Sequence, residues 1–206
     1  DSFDNGWYRT NGVAFHLASN TNTVTGGSSG AETRSFYAFD LSALTSPATS
    51  ARMTFFAGNG TYGSNDPSET VRLVDVTTPT DVLTADAFGP AAVPIFDDLG
   101  AGDIYGEATA SGALGDPMPE IGIDLSAAAI ADINAAAGGT FAIAAVLLSV
   151  DGAGGAQVLW DGSDGVPAAR LTLETTSVPV PAAAPLLLSA LAGWAAVARR
   201  RRARAA

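Results

Sequence analysis

Hydrophobic and polar residues alternate in several short stretches of residues 1–175, and clusters of Gly, Pro, Asn, Asp and Ser separate these stretches. A period of two is typical of a β-strand that buries one face. Many short strands with turn residues between them are typical of a sandwich or barrel rather than of a βαβ fold. The pattern therefore predicts one all-β domain, an antiparallel β-sandwich, over residues 1–175. The clearest alternating stretches are Val13-Phe15-Leu17, Met53-Phe55, Val71-Leu73, Ile121-Ile123 and residues 169–174.

Three further features of the pattern refine this prediction. Residues 140–150 are apolar on both faces, as in a central strand. Ser126 can cap one short helix over residues 127–137, because serine is a preferred cap and Gly138-Gly139 end the helical pattern. Glycine-rich segments are predicted to be surface loops, at residues 26–30, 58–63 and 152–155.

Charge divides the chain into an acidic body and a basic end. All 21 acidic residues lie at or before Glu174 together with five arginines, whereas the other five arginines lie in the last eight residues. An acidic body repels phosphate backbones, so we exclude nucleic acid as a partner of the body.

The residue types present exclude several kinds of chemistry. Cysteine and lysine are absent and His16 is the only histidine, which excludes thiol nucleophiles, cysteine-rich zinc sites and Schiff-base lysines. His16 follows Phe15 in an alternating stretch, so its side chain is predicted to point to solvent, opposite Val13, Phe15 and Leu17. We therefore expect His16 to be dispensable.

Residues 176–206 have the composition of a membrane tail. No charged residue lies between Glu174 and Arg199, and the apolar run over residues 178–198 has the length of a spanning helix, which needs about 17–25 residues. Positively charged flanks stay in the cytoplasm, which places the acidic body outside. We expect a linker and sorting motif at 176–182, a transmembrane helix at 183–198 and a basic cytoplasmic tail at 199–206; a buried core helix with a solvated basic end is the alternative. The topology-determining residues are Arg199, Arg200, Arg201, Arg202 and Arg204.

The motif Val178-Pro179-Val180-Pro181-Ala182, followed by the apolar run and the terminal arginines, resembles the PEP-CTERM class of sorting signals. It is most similar to the VPLPA variant of that class, from which it departs at Val180. The resemblance implies recognition by a membrane exosortase and cleavage near the motif. It also implies an inner-membrane intermediate and delivery to the cell surface or extracellular matrix of a Gram-negative bacterium that makes exopolysaccharide. We expect a secretory signal peptide to have preceded Asp1.

A second resemblance lies in Arg34-Ser35-Phe36-Tyr37-Ala38-Phe39-Asp40-Leu41-Ser42. This run is similar to one near the start of jelly-roll sandwiches that resemble the carbohydrate-binding modules of secreted bacterial proteins. The resemblance implies a jelly-roll-like sandwich. Within the run, Phe36, Tyr37 and Phe39 are predicted to be core residues on two faces of a strand; a sugar platform is the alternative.

Two sets of side chains are candidate ligand contacts. Flat aromatic rings cover the apolar faces of sugars, and four aromatic residues lie beside Gly, Asn or Asp in predicted loops, with partial core as the alternative: Trp7, Tyr8, Tyr62 and Trp160. Calcium takes six to eight oxygen ligands. Asp161 and Asp164 are candidate calcium ligands and Asp97-Asp98 the next, although neither set fits an EF-hand loop and a solvated turn is the alternative. No other cofactor is predicted.

These observations together predict an exported cell-surface or extracellular-matrix protein. We expect its body to be a structural or polysaccharide-binding module of a biofilm matrix and not an enzyme, with the membrane, the exosortase and exopolysaccharide as its partners. A serine triad would have to use His16, and the chain has no G-x-S-x-G elbow. A glycosidase needs only two carboxylates, so a secreted carbohydrate-active enzyme, glycosidase or lyase, is the alternative.

Overall fold

The computed structural model describes residues 1–16, 23–28, 30–55, 62–64, 66–85, 87–111, 120–150, 157–161 and 169–176, without the side chains of Ser28, Trp160 and Asp161. The chain divides into the units Asp1–Thr176 and Ser177–Ala206, and the described residues belong to the first. The described strands are β1 (Asp4–Arg9), β2 (Ala14–His16), β3 (Thr23–Ser28), β4 (Ala31–Asp40), β5 (Ala48–Phe55), β6 (Tyr62–Gly63), β7 (Ser68–Asp75), β8 (Ile104–Ser111), β9 (Ile121–Asp124), β10 (Thr140–Leu147), β11 (Gln157–Asp161) and β12 (Ala169–Thr175). The described helices are α1 (Thr80–Leu83), α2 (Ala92–Asp98), which follows a 3₁₀ turn at Gly89–Ala91, and α3 (Ala127–Ala135).

The strands form two sheets in which every described pairing is antiparallel. The larger sheet has the strand order β6-β11-β3-β4-β10-β7-β8, and β1 pairs with both β4 and β2. The smaller sheet has the order β12-β5-β9. The domain is thus mostly antiparallel β with a few short helices, which is consistent with the predicted all-β sandwich.

The main hydrophobic core lies between the two sheets. The larger sheet contributes Tyr37 and Ile143, and the smaller sheet contributes Met53 and Ile123, all buried. Burying one such side chain contributes about 1.5–3 kcal/mol. Helix α3 adds Ile133 to the same core.

A second core covers the opposite face of the larger sheet. Strand β10 exposes neither face: Ile143 enters the first core and Ala142 the second, which confirms the predicted central strand. Leu83 of α1 and Phe96 of α2 pack on this second face. Phe36 also lies in this core, so the prediction that the Phe36, Tyr37 and Phe39 side chains are core on two faces of one strand is confirmed.

Helix α3 begins where the sequence predicts. The Ser126 hydroxyl accepts a hydrogen bond from the Ala129 amide at 3.4 Å, and Gly138 has a φ of 84° beyond the helix end. The prediction of a single helix is wrong, because α1 and α2 are also present. Helix α2 buries residues at helical spacing, although Pro94 within it is a poor helix former; the buried set is Ala92, Ile95, Phe96 and Leu99.

The predicted orientation of β2 is also wrong. Val13 and Phe15 are 40% and 39% exposed, whereas Ala14 is buried and the His16 side chain is only 11% exposed. The reason is the pairing with β1, which sets Phe15 opposite Trp7 and stacks their rings 5.7 Å apart on the outer face. The hydrophobic alternation of this short strand therefore marks an aromatic pair at the surface and not the core.

The glycine loop predicted at residues 26–30 is in part a strand, because β3 extends to Ser28, whereas Gly30 lies in a turn as predicted. Gly26 lies inside β3 and pairs with Val158 of β11 and with Thr33 of β4. A Cβ atom on Gly26 would lie 2.1 Å from the Gln157 carbonyl oxygen, and its φ is 130°. Close approach of two strands, rather than loop freedom, therefore requires glycine here.

Among the described residues no helix is long and apolar enough to cross a membrane. The predicted sorting motif at 178–182, the predicted transmembrane helix at 183–198 and the arginines at 199–204 lie outside the described residues.

Candidate functional site

An open cleft of about 700 Å³ lies where the end of β7, the loop leading into α1, helix α3 and the start of β10 meet. Its lining mixes apolar side chains with many polar ones. Four carboxylates line it, from Asp4, Asp75, Asp81 and Asp132. Five hydroxyls accompany them, from Thr77, Thr78, Thr80, Thr84 and Thr140.

Two of these carboxylates share one buried hydroxyl. The Tyr105 hydroxyl lies 2.7 Å from Asp132 Oδ2 and 2.9 Å from Asp75 Oδ1. The two carboxylate oxygens are therefore no further apart than these two bonds placed end to end. A phenol has only one proton to donate, so both acceptors compete for it.

Packing in the core fixes the position of Tyr105. It lies on the buried face of β8 with no exposed surface, and its ring stacks on Phe141 at 6.1 Å. Burial raises the pKa of Tyr105 far above its ordinary value of 10.0, and the hydrogen bonds to Asp132 and Asp75 raise it further. The hydroxyl consequently stays neutral and remains a donor to the two carboxylates.

Asp98, at the end of α2, fixes the loop that carries Thr77 and Thr78 along one wall of the cleft. The backbone amides of Thr77 and Thr78 donate to Asp98 Oδ2 at 3.1 and 2.7 Å, and both hydroxyls donate to the same carboxylate. Partial burial would raise the pKa of Asp98, but these hydrogen bonds outweigh it and lower the pKa below its ordinary value. Asp98 therefore stays ionised and fixes the loop that carries the wall.

Asp4 is fixed at the other end of the cleft by His16. His16 Nε2 is in hydrogen-bond contact with Asp4 Oδ1, and 11% of the His16 side chain and 12% of the Asp4 side chain are exposed. The imidazole stacks on Phe36, with 6.1 Å between the ring centroids. Gly6 lies opposite His16 across the β1–β2 pairing and contributes no side chain beside the ring.

The charge of the cleft limits what can bind there. The described lining residues include four carboxylates and no arginine, so the cleft repels anions and favours neutral or positively charged groups. Phe3 at the cleft is 48% exposed and offers an aromatic ring beside the carboxylates and hydroxyls. The arrangement combines an apolar ring with many hydrogen-bonding oxygens.

The aromatic residues proposed from the sequence lie elsewhere. Tyr8 and Tyr62 lie in strands β1 and β6 and are fully buried. Their hydroxyls donate to the carbonyl oxygens of Leu83 and Asp66 at 2.7 and 2.9 Å. Both are core residues in strands, so neither offers a ring face to a sugar. The alternative, that these residues belong to the core, describes Tyr8 and Tyr62.

Trp7 is partly exposed on the outer face of β1. Its ring stacks on Phe15, and the Arg9 guanidinium lies 4.8 Å from its centroid. Trp7 therefore remains a candidate sugar contact, but it does not line the cleft. Trp160 lies in β11 and its side chain is outside the described part of the structure.

The candidate calcium ligands are only partly described. Asp161 ends β11 without a described side chain, and Asp164 lies outside the described residues. Of the second pair, Asp97 is exposed and Asp98 accepts from Thr77 and Thr78. Within the described ranges no three His, Cys, Asp or Glu side chains come together as a metal site.

The sequence analysis missed the cleft. Asp75 follows a predicted strand and Asp132 lies in the predicted helix, but 21 acidic residues offer no way to select this pair. The one available indication was the run of threonines directly after β7. No protein-family model and no curated protein sequence matches this chain, so the geometry of the cleft carries the functional argument.

Proposed function

We propose that this chain is an exported cell-surface or extracellular-matrix protein whose body binds a neutral polysaccharide in the cleft. The observation that carries the proposal is the cleft itself, in which the exposed ring of Phe3 lies beside carboxylates and threonine hydroxyls. An aromatic ring covers the apolar CH face of a sugar. Carboxylates accept hydrogen bonds from sugar hydroxyls, and threonine hydroxyls both donate and accept.

The absence of arginine from the described lining favours a neutral polymer over an acidic one. A glucuronate or sulfated sugar would bring negative charge next to Asp75, Asp81 and Asp132, and these like charges would repel it. We therefore assign a neutral exopolysaccharide as the partner, and a jelly-roll-like sandwich as the architecture that presents the cleft.

The proposed export route rests on the sequence of the tail. The last described strand, β12, ends at Thr175, and the motif at 178–182 follows almost directly. Cleavage near the motif would therefore leave β12 intact, as removal of the tail by an exosortase requires.

A retention assay on neutral and acidic polysaccharides tests the binding function. The wild-type protein is expected to be retained by the neutral exopolysaccharide without releasing new reducing ends. Phe3→Ala is expected to weaken retention several-fold, and Phe88→Ala, which removes a 60% exposed ring outside the cleft, serves as the matched control. Equal retention of both variants would contradict the proposal.

One observation favours a second candidate function, hydrolysis of the polysaccharide. Retaining glycosidases hold two carboxyl groups roughly 5–5.5 Å apart, whereas inverting ones hold them about 6.5–9.5 Å apart. The oxygens of Asp75 and Asp132 that Tyr105 bridges are no further apart than the two hydrogen bonds placed end to end, which is shorter than the separation in inverting enzymes. New reducing ends that disappear in Asp75→Asn and Asp132→Asn would establish the enzyme, and retention without turnover would establish the binding module.

A further inference from the structure

Strand β12 has one open edge in the smaller sheet. It pairs with β5 from Ala169 opposite Phe55 onwards, and the described residues place no strand on its other side. The N-terminal segment lies at the start of this edge, where the Ser2 amide donates to the Ala169 carbonyl at 2.8 Å and the Arg170 side chain donates to the Asp1 carboxylate at 3.0 Å. An unpaired edge of this kind is a template for another strand.

The backbone groups that face the open edge follow from the bond between Ser2 and Ala169. Residues two apart in a strand direct their amide and carbonyl groups to the same side. Because Ala169 faces the open edge, the backbone groups of Leu171 and Leu173 face it as well. A strand added antiparallel to β12 would therefore bond through Leu171 and Leu173.

The side chains along this edge leave the core partly open. A groove of about 240 Å³ borders β12, and Leu171 and Leu173 are only half-buried against the main core. The apolar residues that line the groove are Phe39, Leu41, Ala43, Leu44, Leu171 and Leu173. An added strand with leucines on the same face would continue the core.

We propose that this edge binds β12 of a second copy of the chain, antiparallel and centred on Thr172. In this register Leu171 exchanges backbone hydrogen bonds with Leu173 of the partner subunit. Arg170 then lies opposite Glu174 of the partner subunit, and the two-fold axis repeats both contacts.

Charge selects this register over its neighbours. A pairing centred on Leu171 sets Thr172 opposite Arg170 of the partner subunit, and one centred on Leu173 sets it opposite Glu174 of the partner subunit. Neither pairing brings arginine and glutamate together. In the single chain Arg170 contacts Asp1 at 3.0 Å, and Glu174 accepts from Ser50 at 2.8 Å. These contacts are at the surface, where ion pairs exchange partners at little cost.

The absence of cysteine from the chain allows a direct test by disulfide trapping. Directly opposed residues that are not hydrogen-bonded have Cα atoms about 4.5 Å apart, which lies within the disulfide range. Full-length Thr172→Cys protein is expected to form a covalent dimer under mild oxidation. Thr109→Cys is the matched control, because Thr109 is also exposed on an edge strand, β8.

Charge reversal then tests the register. Adding Arg170→Glu to Thr172→Cys is expected to lower the dimer yield several-fold, and adding Glu174→Arg as well is expected to restore it. A Thr172→Cys yield no higher than that of Thr109→Cys would overturn the proposal, as would a double reversal that does not restore the dimer. Circular dichroism of each variant confirms that the fold is retained.

Discussion

Asp75 at the end of β7 and Asp132 in α3 accept hydrogen bonds from the same buried hydroxyl, that of Tyr105. This contact joins the larger sheet to the helix at the base of the cleft. Two neighbouring carboxylates repel each other, and a hydrogen-bond donor between them offsets part of that repulsion. The neutral tyrosine therefore stabilises the site in the absence of any ligand.

We predict that Tyr105→Phe destabilises the domain by about 1–3 kcal/mol at neutral pH, because two acceptors lose their shared donor. Urea unfolding followed by circular dichroism measures the difference. Tyr62→Phe is the matched control, since it also removes a buried hydroxyl, but one that donates to a backbone carbonyl away from the cleft. A Tyr105→Phe variant as stable as wild type would show that the shared hydroxyl contributes nothing.

The raised pKa of Tyr105 predicts a loss of stability in alkali. The unfolded chain releases the Tyr105 proton near the ordinary value of 10.0, while the folded chain retains it. The unfolded state therefore binds fewer protons above that pH, and stability falls as the pH rises through it. Tyr105→Phe is expected to show a shallower decline, measured by urea unfolding between neutral pH and pH 11; parallel declines would contradict the assignment.

Asp98→Ala is predicted to cost about 1–3 kcal/mol at neutral pH, because the amides and hydroxyls of Thr77 and Thr78 lose their acceptor. Since the pKa of Asp98 is lowered in the folded state, its contribution is present above the ordinary value of 3.8 and is lost as the pH falls through the folded-state value. The difference between variant and wild type should therefore shrink in acid. Asp97→Ala, at the exposed neighbouring position, is the control and should behave as wild type.

His16 is predicted to matter for stability, contrary to the expectation from the hydrophobic pattern. His16→Ala removes the His16 contact from the nearly buried Asp4 carboxylate, which keeps the Asn5 amide as a donor, and we expect this loss to cost about 1–3 kcal/mol. A double-mutant cycle with Asp4→Asn measures the coupling between the two side chains. Additive effects of the two changes would show that the pair is not coupled.

The sequence predicts those elements whose pattern reflects burial directly. Strand β10 is apolar on both faces because a core lies on each side of it, and Ser126 caps α3 as its position indicates. The same logic fails for β2, because Phe15 is hydrophobic but packs on Trp7 at the surface. It fails for Gly26, because close strand approach and loop freedom both select glycine.

The cleft could not be predicted for a different reason. Asp75 and Asp132 meet only because the sheet and α3 pack together, and no local pattern marks a contact between distant segments. The sequence alone indicated only that carboxylates were available for a glycosidase-like site. Which two they are depends on the tertiary structure.

Processing of the tail is predicted to leave a mature protein that ends near Pro181 and lacks the terminal arginines. From the sequence we expect the prolines at 179 and 181 to keep the motif extended, because each proline fixes its own φ and restricts the residue before it. Mass spectrometry of protein recovered from the native cell surface measures where the mature chain ends. A C-terminus at Ala206 would mean that the anchor is retained.

Hydrogen exchange of the full-length protein with and without the neutral exopolysaccharide tests the central claim most directly, because it locates the binding site. We expect bound polymer to slow amide exchange around the cleft, in residues 75–84 and 132–142. Protection confined to residues 6–16, around Trp7 and Phe15, would place the site on the outer face of β1 and contradict the assignment to the cleft. No change anywhere in the body would contradict polysaccharide binding itself.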